Sequence, residues 1–141
     1  MQSNRSSVFN CTLLELPKIH TDGGNITAIN NEIDIPFKIK RVYYLFDVPS
    51  GESRGGHGHM DLHQIIIAVS GSFDIIIDDG NIKRTFHLAR PNIGIYMPPG
   101  LWRELSNFSS GSICLVLASH LYDETDYLRD YKEFITWKKG D

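Results

Sequence analysis

Between residues 12 and 119 the chain repeats one pattern: short runs rich in Ile, Val, Phe and Tyr, each closed by a cluster of Gly, Pro, Asn or Asp. The runs fall at 12–16, 25–30, 38–46, 63–69, 73–77, 82–88, 93–97, 102–106 and 113–119. Many short strands with frequent turn signals predict a sandwich or barrel and leave no room for crossover helices. The clearest local signal lies at 73–88. Two strand-like runs there flank Asp78-Asp79-Gly80-Asn81, and an Asp-Gly pair supplies the positive φ angles of a tight hairpin. Beyond residue 119 the period changes. Tyr127, Leu128, Tyr131, Phe134 and Ile135 follow helical spacing, with Thr125 or Asp126 as the expected N-cap. The expected fold is all-β with a short C-terminal α-helix. The 141 residues suit one domain, 1–141, of which only residues 1–7 look free to be disordered.

Composition narrows the function classes. Fourteen basic and seventeen acidic side chains give a net charge of −3, which argues against a broad nucleic-acid footprint. The polar N-terminus leads into no signal-type apolar stretch, and the longest apolar run, 65–69, is too short to cross a bilayer. The expectation is a soluble, cytoplasmic protein with no membrane partner. Cys11 and Cys114 are too few and too far apart for a disulfide framework, and Cys114 reads as a small buried hydrophobe.

The chemistry concentrates in Gly51-Glu-Ser-Arg-Gly-Gly-His57-Gly-His59, followed by Gln64 and Gly71. Side chains alternate across a strand, so His57 and His59 share a face. In a closed sheet such a pair makes a metal site, an acid–base pair or a ligand clamp. The spacing resembles the first cupin signature, and Pro98-x-Gly100-x2-Arg103-x3-Asn107 resembles the second. This similarity implies a cupin-type β-barrel, a double-stranded β-helix or jelly roll. A typical cupin metal site uses three histidines and a carboxylate. Here Gln64 is neutral and Arg103 is a fixed cation, so two of the four ligands are replaced. His63 and Asp61 are substitutes to weigh. On one straight strand they would spread the set over roughly a dozen ångströms, at about 3.3 Å per residue. The expectation is no metal and no cofactor.

Further candidates cluster near these motifs: Arg41, Tyr43, Tyr44 and Arg54, then Tyr96, Trp102 and Arg103. Guanidinium forks suit a diphosphate or a developing enolate oxygen. Aromatic rings suit a base or a sugar face. Tyr43 and Tyr44 are neighbours on one strand, so one of them serves packing.

Three longer blocks are more specific: Ile39-Lys-Arg-Val-Tyr-Tyr-Leu-Phe-Asp47, Arg54-Gly-Gly-His-Gly-His59 and Leu117-Ala-Ser-His-Leu-Tyr-Asp-Glu-Thr-Asp-Tyr127. They resemble the dTDP-4-keto-6-deoxyglucose 3,4-ketoisomerases over residues 10–137. Nothing in barrel physics demands the last block. The resemblance implies a metal-free isomerase of deoxysugar biosynthesis, with a dTDP-linked keto-sugar as partner and a homodimer that exchanges N-terminal strands. It maps the family's paired histidines onto His57 and His59 and its neighbouring arginine onto Arg54. The family's His-Ala-His, Leu-Glu-Gln and Trp-His-Glu read His57-Gly58-His59, Leu62-His63-Gln64 and Trp102-Arg103-Glu104 here. The implied reaction removes the C3 proton to give an enediolate and reprotonates C4. In it His59 is the expected C3 base and His57 moves protons at the oxygens or to C4. Tyr43 or Tyr44 assists, and Arg41, Arg54, Gln64, Tyr96, Trp102 and Arg103 bind substrate. The rivals are a dTDP-sugar 3,5-epimerase, a non-catalytic nucleotide-sugar-binding cupin and a metal-dependent oxygenase.

Overall fold

The computed structural model describes residues 3–140. Its strands are β1 (Thr12–Glu15), β2 (Ile19–Thr21), β3 (Gly24–Ile26), β4 (Arg41–Leu45), β5 (Arg54–His59), β6 (Gln64–Ser70), β7 (Phe73–Asp78), β8 (Lys83–Leu88), β9 (Ile93–Met97), β10 (Trp102–Ser106), β11 (Ile113–Ala118) and β12 (Tyr127–Leu128); one helix, α1 (Tyr131–Lys139), follows. Sheet one has the order β1-β9-β6-β11-β4 and sheet two the order β12-β5-β10-β7-β8, with every pairing antiparallel. β2 and β3 form a separate hairpin. The cupin-type arrangement is thus a sandwich of two facing sheets. Among the described residues no ladder joins them into a closed barrel.

Alternation explains the core. Ile66, Ala68, Ile75, Ile77, Ile95, Met97, Leu105 and Val116 point between the sheets and form one buried cluster. The intervening Ile65, Ile67 and Leu117 face outward from sheet one. They are buried all the same, under Ile35 and Phe37 of the segment that precedes β4. That cover is why β6 reads as an unbroken apolar run. The expected hairpin forms as the Asp-Gly signal requires. Asp79 accepts from the amides of Asn81 and Ile82, both at 2.9 Å, and Gly80 adopts φ +91°.

The C-terminal helix starts later than its periodicity suggests. Tyr127 and Leu128 pair with β5, and Asp130 is the N-cap, accepting from the amides of Lys132 and Glu133. Asp126, an expected cap, is engaged elsewhere. Helix α1 lies on the outer face of sheet two, with Phe134 fully buried against Trp102 and Leu128.

The N-terminal segment is no free arm from Ser3 onward; Met1 and Gln2 lie outside the described residues. Ser6 donates to the Pro99 carbonyl at 2.7 Å, and the Val8 amide donates to Asp79 at 3.0 Å. Lys138 of α1 donates to the carbonyls of Ser6 and Gly100 at 2.5 and 2.7 Å. Burial pushes the Lys138 pKa down to about 8. Polar as the leader is, these buried partners satisfy it, and Val8 and Cys11 close one end of the core. Gly100 makes the close approach feasible: its φ is +90°, and a Cβ there would lie 1.8 Å from the Ser3 carbonyl oxygen. Gly100→Ala is therefore expected to destabilise the protein by about 3 kcal/mol, through overpacking and left-handed strain. Urea unfolding measures it, and an unchanged midpoint would contradict this packing.

Candidate active site

Strand parity and one bulge build the site. His57 and His59 of β5 point between the sheets, as do Arg103 of β10, Tyr43 of β4 and Gln64 of β6. The β5–β10 register pairs Arg103 with His57 but Leu105 with Arg54, so β5 carries one extra residue between them. That bulge brings Arg54 round to the face of His57. The result is a cavity of about 450 Å³. Its floor includes Tyr43, His57, Gln64 and Arg103; Arg41, Arg54, Tyr122, Tyr127 and Arg129 stand around it.

Other expected residues lie elsewhere, each for the same reason of alternation. Tyr44 points away from Tyr43; it is 57% exposed and packs on Phe46. Trp102 points away from Arg103 and packs edge-on against Tyr131 of the helix at 5.3 Å. Tyr96 is on the outer face of sheet one, where its hydroxyl meets His63 Nδ1 at 2.7 Å. His63 is there because the chain leaves sheet two after His59 and enters sheet one at Gln64. Neither His63 nor Asp61 joins the histidine pair. Among the described residues no group of three or more His, Cys, Asp or Glu side chains is placed to hold a metal ion.

Three polar links organise the floor. His57 Nε2 and His59 Nε2 are 3.1 Å apart, and His59 Nδ1 is 3.0 Å from Asp126 Oδ2. Arg103 Nη1 donates to Gln64 Oε1, and Gln64 Nε2 donates to the Tyr43 hydroxyl at 3.1 Å. Tyr127 covers both imidazoles, with ring centroids at 5.2 and 4.3 Å. Sequence reasoning gave Asp126, Tyr127, Tyr122 and Arg129 no role in the site. The available signal for the first three was the block 122–127, which the fold alone does not require; Arg129 lies beyond it.

Burial sets the charges. His59 is 1% exposed. Desolvation pushes its pKa down to about 4; the nearby Arg103 and Arg41 add to this, while Asp126 opposes it. Burial alone would raise Asp126, but hydrogen bonds from His59 and the Asp61 and Leu62 amides hold its carboxyl below the usual range. At neutral pH the pair is therefore a neutral imidazole and a carboxylate. The carboxylate can only accept, so the contact at 3.0 Å calls for a proton on His59 Nδ1. Arg103 is 2% exposed and has no ion-pair partner among the described residues. Its Nε has no hydrogen-bond partner among the described residues. Burial pushes its pKa down to about 10, which leaves it protonated. A buried, uncompensated guanidinium beside an imidazole pair can stabilise an oxyanion formed by proton abstraction. His57 lines the cavity, while His59 sits behind it with both ring nitrogens engaged.

The His59 shift has a measurable consequence. Its folded pKa of about 4 lies below the ordinary 6.5, so the unfolded chain binds more protons between those values. Stability is thus expected to fall by about 3 kcal/mol as pH drops through this window. Urea titrations across the window should show that slope in the wild type and lose it in His59→Gln. An equal slope in both would refute the assignment.

Comparison with known proteins gives this geometry a family. The family described as FdtA: WxcM-like, C-terminal matches residues 9–139. The chain is 44% identical to the TDP-4-oxo-6-deoxy-alpha-D-glucose-3,4-oxoisomerase of Aneurinibacillus thermoaerophilus, over 86% of this chain and 88% of that protein. Its fold is similar to that of QdtA, a sugar 3,4-ketoisomerase from Thermoanaerobacterium thermosaccharolyticum solved in complex with TDP. The TM-score is 0.92 and the identity 41%, over 94% of this chain and 97% of that one. The WlaRB TDP-quinovose 3,4-ketoisomerase from Campylobacter jejuni is 45% identical, with a TM-score of 0.87 over 92% of this chain and 99% of that one. With a match across both sheets, the histidine pair and the C-terminal helix, the chain belongs to the WxcM-like, C-terminal (FdtA) family.

Proposed function

We propose that the protein is a TDP-4-keto-6-deoxyglucose 3,4-ketoisomerase of deoxysugar biosynthesis. The observation that carries this reading is a histidine pair 3.1 Å apart, one member lining a cavity whose floor also holds a buried guanidinium, in a chain 44% identical to a 3,4-oxoisomerase. The C4 ketone acidifies the C3 hydrogen. His57 accepts that proton, and the electron pair of the C–H bond enters an enediolate. Arg103 offsets the developing negative charge. Tyr43, held by Gln64, exchanges protons between O3 and O4, and reprotonation at C4 leaves the ketone at C3. Burial raises the Tyr43 pKa, which keeps its hydroxyl protonated and able to donate. Arg41, Arg54 and Arg129 at the mouth suit a diphosphate, and Tyr122 and Tyr127 suit the base.

The same reading extends to assembly and setting. We take the chain as one cupin domain acting as a homodimer through its N-terminal strands. Supporting this, β1 is an edge strand with Leu13 exposed, and the β2–β3 hairpin exposes Ile19 and Ile26. No described helix is long and apolar enough to cross a membrane, and a nucleotide-activated substrate suits a cytoplasmic enzyme.

Proton NMR of EDTA-treated protein with dTDP-4-keto-6-deoxyglucose tests the reaction. Conversion to a 3-keto sugar is expected. An epimerised 4-keto product, or tight TDP binding without conversion, would overturn the reading. His57→Asn should lower kcat by about 10²–10⁴-fold while TDP affinity stays near wild type.

A further inference from the structure

The histidine pair has two sides, and the proposed reaction uses one of them. His57 lines the large cavity, whereas His59 lines a second one of about 190 Å³ together with Asp61, His120, Thr125 and Asp126. Arg41 and Tyr127 line both cavities and so form the partition between them. One polar chain crosses that partition. The Asp61 amide donates to Asp126 Oδ1 at 2.7 Å, Asp126 Oδ2 lies 3.0 Å from His59 Nδ1, and the two Nε2 atoms are 3.1 Å apart. Because backbone holds one oxygen of Asp126, the other is fixed on His59. A carboxylate so fixed determines which ring nitrogen keeps the proton.

We infer that Asp126 is a positioning residue that holds His59 as its Nδ1–H tautomer, and that the smaller cavity is the port through which the histidine pair exchanges protons with solvent. The port rests on the ketoisomerase reading; the tautomer does not. In the step, the C3 proton passes to the His57 ring, and the Nε2 proton of His57 passes to His59 Nε2. His59 becomes an imidazolium against the Asp126 carboxylate, and its Nδ1 proton leaves through Asp126 to water in the smaller cavity. The reverse sequence returns a solvent proton to the pair for delivery to C4. Protons balance, and no oxidant or reductant enters. Arg41 from β4 and Arg103 from β10 disfavour the imidazolium, while Asp126 favours it. Proton occupancy of His59 is therefore brief, as a relay needs.

The tautomer is read first, by ¹⁵N NMR of histidine-labelled protein at neutral pH. The expected signature is His59 neutral with Nδ1 protonated, changing to the Nε2–H form in Asp126→Asn. An Nε2–H tautomer in the wild type would overturn the positioning role whatever the activity. Turnover in deuterated buffer then tests the port. The wild type should place deuterium at C4 of the product. Leu121 is an exposed residue of the smaller cavity's lining, and Leu121→Trp, which narrows that cavity from its solvent side, should keep turnover near wild type and lower that deuterium content several-fold. Asp126→Asn should lower kcat by about 100-fold or more with KM little changed. Deuterium content unchanged in Leu121→Trp would overturn the port. Absence of turnover in the wild type would overturn the function and the port together, while the tautomer result stands.

Discussion

A β-strand can give only every second side chain to the space between two sheets, and the rest of this protein is arranged around that limit. The lumen receives Tyr43, His57, His59, Gln64 and Arg103 because they hold inward positions on four strands. Their neighbours go outward and have to be covered. The segment before β4 covers sheet one, and α1 covers the part of sheet two that carries Trp102. Arg54 would break the rule, and the extra residue in β5 restores it.

Electrostatics follow from what this enclosure removes. With water excluded, an imidazole cannot easily hold a proton, and a guanidinium still can. Burial therefore keeps His59 neutral while the nearby Arg103 stays charged, a combination that bulk water would level. Asp126 refines this balance. Its negative charge lies behind His59, on the side away from the large cavity, so the cavity itself stays electropositive.

Much of this was legible in the sequence. Turn signals and short apolar runs are local, so nearly all the main strands and the Asp-Gly hairpin could be read directly. Alternation placed His57 with His59 and split Tyr43 from Tyr44. It also implied that Trp102 and Arg103 diverge, which a list of nearby aromatics obscured. Tyr96 falls outside the cavity by the same alternation, since Ile95 and Met97 take the inward positions of β9, and His63 is set apart by the break after His59, which swaps sheets and is a tertiary event. Asp126 was hidden for a different reason. An aspartate a few residues before a helix resembles an N-cap, and its true partner is 67 residues away in the chain. The bulge at Arg54 was equally silent, since a glycine pair signals freedom without saying how it is used.

Gly58, between the two histidines, faces the other way, toward α1. A Cβ there would come within 3.1 Å of the Leu101 carbonyl oxygen and 3.2 Å of the Phe134 ring. The thickness of the wall behind the histidines is thus gauged by Gly58 on β5, the Leu101 backbone before β10 and Phe134 on the helix. An alanine at position 58 would press on the Leu101 carbonyl and the Phe134 ring together, so backbone and helix would each have to give by a few tenths of an ångström. The seating of the histidine pair is in this sense a joint property of positions 58, 101 and 134.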